Sequence, residues 1–151
     1  MKLFKPFLIG VITFVVLFLV IALILPSNYS LQRTTTINAS IAKVFQQIND
    51  IQQYENWSPW IATDSTCKIH IHPSATTVGQ GATYDWTSKL SGSGTFTITK
   101  SQNHKHIATH LDFGEHGKAD AFWDFKVLDN NVKVTWTLAG DVGFNPFGRY
   151  F

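Results

Sequence analysis

Cysteine is nearly missing: Cys67 is the sole one in 151 residues. An internal disulfide is excluded, and a lone thiol fits an oxidising or a reducing compartment equally. A basic field is missing too. Lys2 and Lys5 account for two of the 12 Lys+Arg, and the other ten are balanced by ten Asp+Glu, all beyond residue 26. A region with no net charge offers no basic field to hold a phosphate backbone, which argues against nucleic acid as a partner. The sequence contains no Gly-x-Ser-x-Gly, no phosphate-cradling glycine loop and no Cys-His pairing. The chemistry carried by those motifs therefore has no footing. Internal repeats and low-complexity linkers are also absent.

Charge is absent from Phe7 to Leu25, FLIGVITFVVLFLVIALIL, interrupted only by Gly10 and Thr13. At the helical rise this run spans roughly 28 Å, close to the hydrocarbon thickness of a bilayer. A cleaved signal peptide would have an apolar region of about 7–15 residues and a small-x-small cleavage site. Here the run is longer and leaves through Leu25-Pro26-Ser27-Asn28. A buried helix of a soluble protein is rarely apolar on every face. The expectation is an uncleaved, single-pass membrane anchor over residues 1–26, spanning with residues 7–25. Lys2 and Lys5 precede the run, and the next basic residue is Arg33. That asymmetry puts the N-terminus in the cytoplasm and residues 27–151 on the extracytoplasmic side, with Tyr29 as an interfacial anchor.

Beyond Pro26 the pattern is that of a folded α+β domain. Tyr29–Ile37 is rich in β-branched residues and reads as a strand, and Asn38-Ala39-Ser40 is a helix-start signal. Ile41, Val44, Phe45, Ile48 and Ile51 then recur at steps of three and four, the stripe of an amphipathic helix. Asn49-Asp50 weakens it, a short second helical piece carries Tyr54 and Trp57, and Pro59 is expected to end the segment. From Thr66 the period becomes two, in six runs containing Ile69, Tyr84, Phe96, Ile107, Ala121 and Val132. Turn signals such as Gly79-Gln80-Gly81, Ser91 to Gly94 and Asp129-Asn130-Asn131 separate them. Short turns imply an antiparallel meander, giving seven strands in all.

One face of that sheet is apolar and aromatic. Its inward set is Tyr84, Trp86, Phe96, Ile98, Leu111, Trp123, Phe125, Val134 and Trp136, which suits a concave apolar pocket or a solid core. The segment Asn56-Trp57-Ser58-Pro59-Trp60 places two indoles at a forced turn, as pocket wall or as packing. His70 and His72 share a face, as do His104 and His106, but zinc needs three or four convergent ligands. Alternation points His70 and His72 away from the apolar face, and two strands separate them from His106 and His110, so no metal site is expected. Asp85, Asp120, Asp124 and His110 fall on the polar face. Tyr84 and Thr109 are the inward polar groups, and neither makes a catalytic pair.

The pieces RTTTINASIAKVFQQINDIQQYENWSPW, VGQGATYDW, GSGTFTI and NNVKVTWTLAGDVGF occur here in order. Together they resemble the START-like (SRPBCC) superfamily, in particular its polyketide cyclase/dehydrase-like and lipid-transport-like members. The resemblance runs from the anchor to Gly148. It implies a helix-grip fold over residues 27–151 and a cavity for a lipid or other hydrophobic small molecule. It implies no cofactor, and no catalytic residue can be matched to it. The ligand-binding set expected from it is Trp57, Trp60, Tyr84, Trp86, Phe96, Trp123, Phe125 and Trp136, with Trp57 and Trp60 near one end of the cavity. A cyclase/dehydrase-like enzyme and a membrane-tethered interaction module are the alternatives. The family closes its cavity with a long C-terminal helix, which would begin where this sequence stops. The domain is therefore expected to be C-terminally incomplete.

Overall fold

The structure is a computed structural model that describes residues 4–73 and 76–150. Lys2, one of the two lysines used to orient the anchor, and the final Phe151 lie outside the described residues. The chain forms two compact units. One comprises the residues up to Tyr29 with those from Asp141 on, and the other Ser30–Gly140.

In the first unit, α1 (Phe4–Ile24) is a single helix of 21 residues, long and apolar enough to cross a membrane. Pro26 stops it, having no N–H to continue the ladder. Its side chains are exposed apart from a stripe at Phe18, Ala22 and Leu25. The 3-10 turn Gly148–Tyr150 covers that stripe. Tyr150 stacks on Phe18 at 4.5 Å between centroids, and Phe147 lies 5.6 Å from the same ring. Arg149 donates to the carbonyls of Ala22, Leu23 and Leu25 at 3.2–3.3 Å. A guanidinium on carbonyls that have no intrahelical donor is the expected complement of a helix C-terminus.

The second unit holds the sheet. β1 (Asn28–Ile37) is followed by α2 (Ile41–Asn49), α3 (Tyr54–Trp57) and α4 (Pro59–Thr63). The strands β2 (Lys68–His70), β3 (Thr83–Ser88), β4 (Gly92–Gln102), β5 (His106–Asp112), β6 (Lys118–Leu128) and β7 (Asn131–Asp141) follow. The order across the sheet is β1-β7-β6-β5-β4-β3-β2. From β2 to β7 each strand pairs antiparallel with the next, and from β3 on the connections are the short turns expected. β1 and β2 stand on opposite edges, so the chain between them has to cross the whole width of the sheet. α2 to α4 are that crossing, and this is what covers the apolar face.

Ser40 caps α2 by accepting from the Lys43 N–H at 3.4 Å, and Val44, Phe45 and Ile48 bury the expected stripe. Asp50 ends α2. Its carboxylate accepts from the Gln52 N–H at 3.1 Å and starts a 3-10 turn that buries Ile51 completely. The chain bends at Asn49-Asp50 and the apolar stripe resumes after it. At Pro59 the structure departs from expectation. α3 does end at Trp57, with Ser58 extended, but Pro59 then opens α4 at its first position. A proline there loses no hydrogen bond and already holds a helical φ. The core under α2 is solid: Phe45 meets Phe125 edge-on at 5.4 Å, above Ile98, Ile107, Val132 and Val134.

Candidate functional site

Beside that solid region, under α3 and α4, the same face of the sheet lines a cavity of about 450 Å³. Its floor is built by cross-strand pairs. Tyr84 stands opposite Phe96 and Trp123 opposite Trp136, all with side chains on the inward face. Tyr84 and Phe96 stack at 4.8 Å, and the two indoles lie 6.0 Å apart. Trp86 meets Phe113 edge-on at 5.4 Å. Gly94 is opposite Trp86, and a Cβ there would run into the Trp86 ring and the Asp112 carbonyl oxygen. Glycine at that position is what lets the indole lie flat along the sheet.

The helical side supplies the rest. Trp57 donates its indole N–H to the Gln47 carbonyl at 2.8 Å, which fixes the ring edge-on to Trp123 at 5.9 Å. Trp60, the second residue of α4, lines the cavity and is 69% exposed, so it marks the mouth. Tyr54 is buried between Trp57, Tyr84 and Phe96, and its hydroxyl donates to the Ile48 carbonyl at 3.2 Å.

Of the eight residues expected to hold a ligand, seven line this one cavity: Trp57, Trp60, Tyr84, Trp86, Phe96, Trp123 and Trp136. Phe125 does not. It shares the inward face with Trp123, two residues earlier, but lies under α2 against Phe45. Ile98 and Val134 are likewise solid core. The chain's five tryptophans all border the cavity. Tyr54, Cys67, Ile69 and Phe113 also line it and were not expected to. Ile69 and Phe113 sit on the inward phase of their runs, which was a usable signal. Cys67 precedes its strand and carried none.

The chemistry of the wall is neutral. Among the described residues lining the cavity, none is Asp, Glu, His, Lys or Arg. Burial first, then the nearby Cys67 thiol, pushes the Tyr84 hydroxyl well above the ordinary phenol range. Burial and then Asp64 push the Cys67 thiol up. Both therefore stay protonated near neutral pH. Thr109 is 1% exposed and donates to the Ala121 carbonyl at 3.2 Å. Three His–Asp pairs lie on the opposite face of the sheet. There His106 pairs with Asp124 at 2.8 Å, His110 with Asp120 at 2.7 Å and His72 with Asp85 at 3.1 Å.

The sequence matches, over residues 29–151, the family described as polyketide cyclase / dehydrase and lipid transport. No curated protein sequence matches it. Among solved structures, CalU16 from Micromonospora echinospora is similar with a TM-score of 0.52 and 9% identity, covering 74% of this chain and 60% of that one. The chain thus spans less than two thirds of that protein's length. A protein from Arthrobacter aurescens gives a TM-score of 0.57 at 19% identity, covering 80% of this chain and 73% of that one. Protein MLL2253 from Mesorhizobium loti gives 0.58 at 8% identity, covering 81% and 84%. At such identities these likenesses speak for the fold alone.

Proposed function

The chain belongs to the polyketide cyclase / dehydrase and lipid transport family, and from that membership we propose that it binds a lipid or other hydrophobic small molecule. The binding element is the START-like domain of residues 27–151, tethered to the membrane by residues 1–26. The carrying observation is the cavity of about 450 Å³ walled by all five tryptophans. Apolar burial drives such binding at about 25 cal/mol per Å² before entropy losses. A tether on α1 would hold the cavity beside a store of apolar ligand at high effective concentration. The extracytoplasmic placement of the domain belongs to this proposal and rests on the lysine asymmetry. The enzyme alternative is less well supported. General acid-base work needs a group that titrates near the working pH within reach of the reacting atoms; the described lining has neither carboxylate nor imidazole, and burial raises its Tyr54, Tyr84 and Cys67 groups away from neutral pH.

Two measurements test the reading. Native mass spectrometry of the full chain, gently extracted from its own membrane, is expected to find a releasable apolar adduct. Energy transfer from the tryptophans to added N-phenyl-1-naphthylamine is expected to exceed that in protein-free micelles. A bare chain together with no excess transfer would overturn it.

A further inference from the structure

Away from the cavity, residues 142–150 combine two properties that water does not select together. Their largest apolar side chains are bare: Phe144 is 88% exposed and Phe147 69%. Their backbone donors are nevertheless used up. The Val142 N–H donates to the Ser27 carbonyl at 3.0 Å, that of Gly143 to the Asp141 carboxylate at 2.7 Å and that of Asn145 to the Val142 carbonyl at 3.2 Å. The Asn145 side-chain oxygen accepts from the Phe147 and Gly148 N–H groups at 3.1 and 3.2 Å. The Arg149 and Tyr150 N–H groups go to the Asn145 and Phe147 carbonyls at 3.3 and 3.2 Å. Pro146 has no N–H, and Phe144 alone in the stretch has no backbone acceptor among the described residues. A loop in water can leave its donors to the solvent, whereas lipid offers no partner for them.

The place of the segment agrees. The Tyr150 hydroxyl donates to the Phe18 carbonyl of α1 at 2.6 Å, and both Tyr150 and Phe147 pack on the Phe18 ring. Phe18 precedes Ile24, the end of α1, by six residues, or about 9 Å at the helical rise. With α1 in a bilayer, a hydroxyl on that carbonyl lies below the end of the span, within the roughly 5–10 Å that interfacial elements reach. The only cation of the stretch, Arg149, keeps its guanidinium on the carbonyls of Gly143, Ala22, Leu23 and Leu25, at the end of α1. A cation carried at the boundary, with apolar groups below it, is how a membrane segment accommodates charge.

We propose that residues 142–150 form a second membrane element. They enter the leaflet at the C-terminal end of α1, with Phe144 and Phe147 among the lipid acyl chains and Arg149 at headgroup level. The chain then meets the bilayer twice, before β1 and after β7. This rests on the reading of α1 as a membrane span.

The test uses the full chain with Cys67→Ser, reconstituted in phosphatidylcholine vesicles and carrying one added cysteine labelled with the fluorophore NBD. Phe14→Cys, on an exposed position of α1, is compared with Phe144→Cys and Phe147→Cys. All three rings are exposed, so none of the substitutions empties a core position. A nitroxide carried on the lipid acyl chain is expected to quench the label at 144 and 147 as it does at 14, and aqueous iodide to leave all three unquenched. Quenching by iodide at 144 or 147, with position 14 still quenched from the lipid, overturns the inference and leaves the span standing. A label at 144 or 147 that neither agent reaches is covered by protein, and also overturns it. If position 14 itself escapes the lipid nitroxide, the span falls and the inference with it.

Discussion

Gly94 and Trp60 show how differently single residues at one cavity act. A methyl group at Gly94 has no room, because the Trp86 ring and the Asp112 carbonyl occupy the place of a Cβ. Gly94→Ala must displace the indole from the cavity wall. A loss of about 1–3 kcal/mol is expected, the usual size of an overpacking penalty, read as a lower denaturant midpoint. Trp60 is the opposite case. At 69% exposure it contributes little to the core. Trp60→Ala is expected to change stability by no more than about 0.5 kcal/mol while weakening the capture of N-phenyl-1-naphthylamine. Thermal melts with and without that probe check it, and equal losses of stability and binding would defeat the assignment of Trp60 to the mouth.

At the scale of elements, the hinge between α4 and β2 depends on Asp64. Its carboxylate accepts from the Ser88 hydroxyl at the end of β3, from the Thr66 hydroxyl at 2.6 Å and from the Thr66 N–H at 2.9 Å. The Ser88 oxygen in turn accepts from the Leu90 and Ser91 N–H groups, which fixes the β3–β4 turn beside the cavity. The Ser88 hydrogen bond, ahead of the others, holds the Asp64 carboxyl below its ordinary value of 3.8. A carboxyl depressed in the fold stabilises it above the unfolded value, and that contribution is lost as pH falls through the folded one. Stability is therefore expected to decline as pH drops below about 4, the ordinary carboxylate range. Asp64→Asn should be less stable at pH 7 and lose less on acidification. Asp85, Asp112 and Asp141, which are also depressed, should supply the remaining slope. Chemical denaturation from pH 7 to pH 3 measures both. The α2 cap is a smaller device. The Ser40 bond is long at 3.4 Å, so Ser40→Ala should cost about 0.5 kcal/mol, the low end for a cap.

For the whole molecule, the decisive property is whether α1 stays attached. An uncleaved span keeps the protein in the membrane pellet through alkaline carbonate extraction, with residues 1–26 still found at its N-terminus. A chain released into the supernatant and shortened at its N-terminus would make residues 1–26 a signal sequence. The exposed apolar length of α1, 21 residues against about 30 Å of hydrocarbon, favours retention.

Side-chain period was enough to read the strands, their meander and the identity of the inward face, because pleating forces alternate residues to opposite sides. The charge-free run was enough to read α1. Both are local properties, visible in a window of a few residues. Position along the inward face was not local. Trp123 and Phe125 have the same phase, yet one borders the cavity and the other lies under α2. What separates them is the path of the chain from β1 to β2 across the sheet, which fills one region with Val44, Phe45 and Ile48 and leaves the next open beneath α3 and α4. Pro59 was legible as a break, but whether a new helix followed depended on what α4 had to cover. Tertiary structure likewise decided that Cys67, outside any strand, reaches the wall, and that the Trp57 indole N–H meets the Gln47 carbonyl. A hydrogen bond is a matter of what lies opposite, and sequence spacing does not say what lies opposite across a cavity.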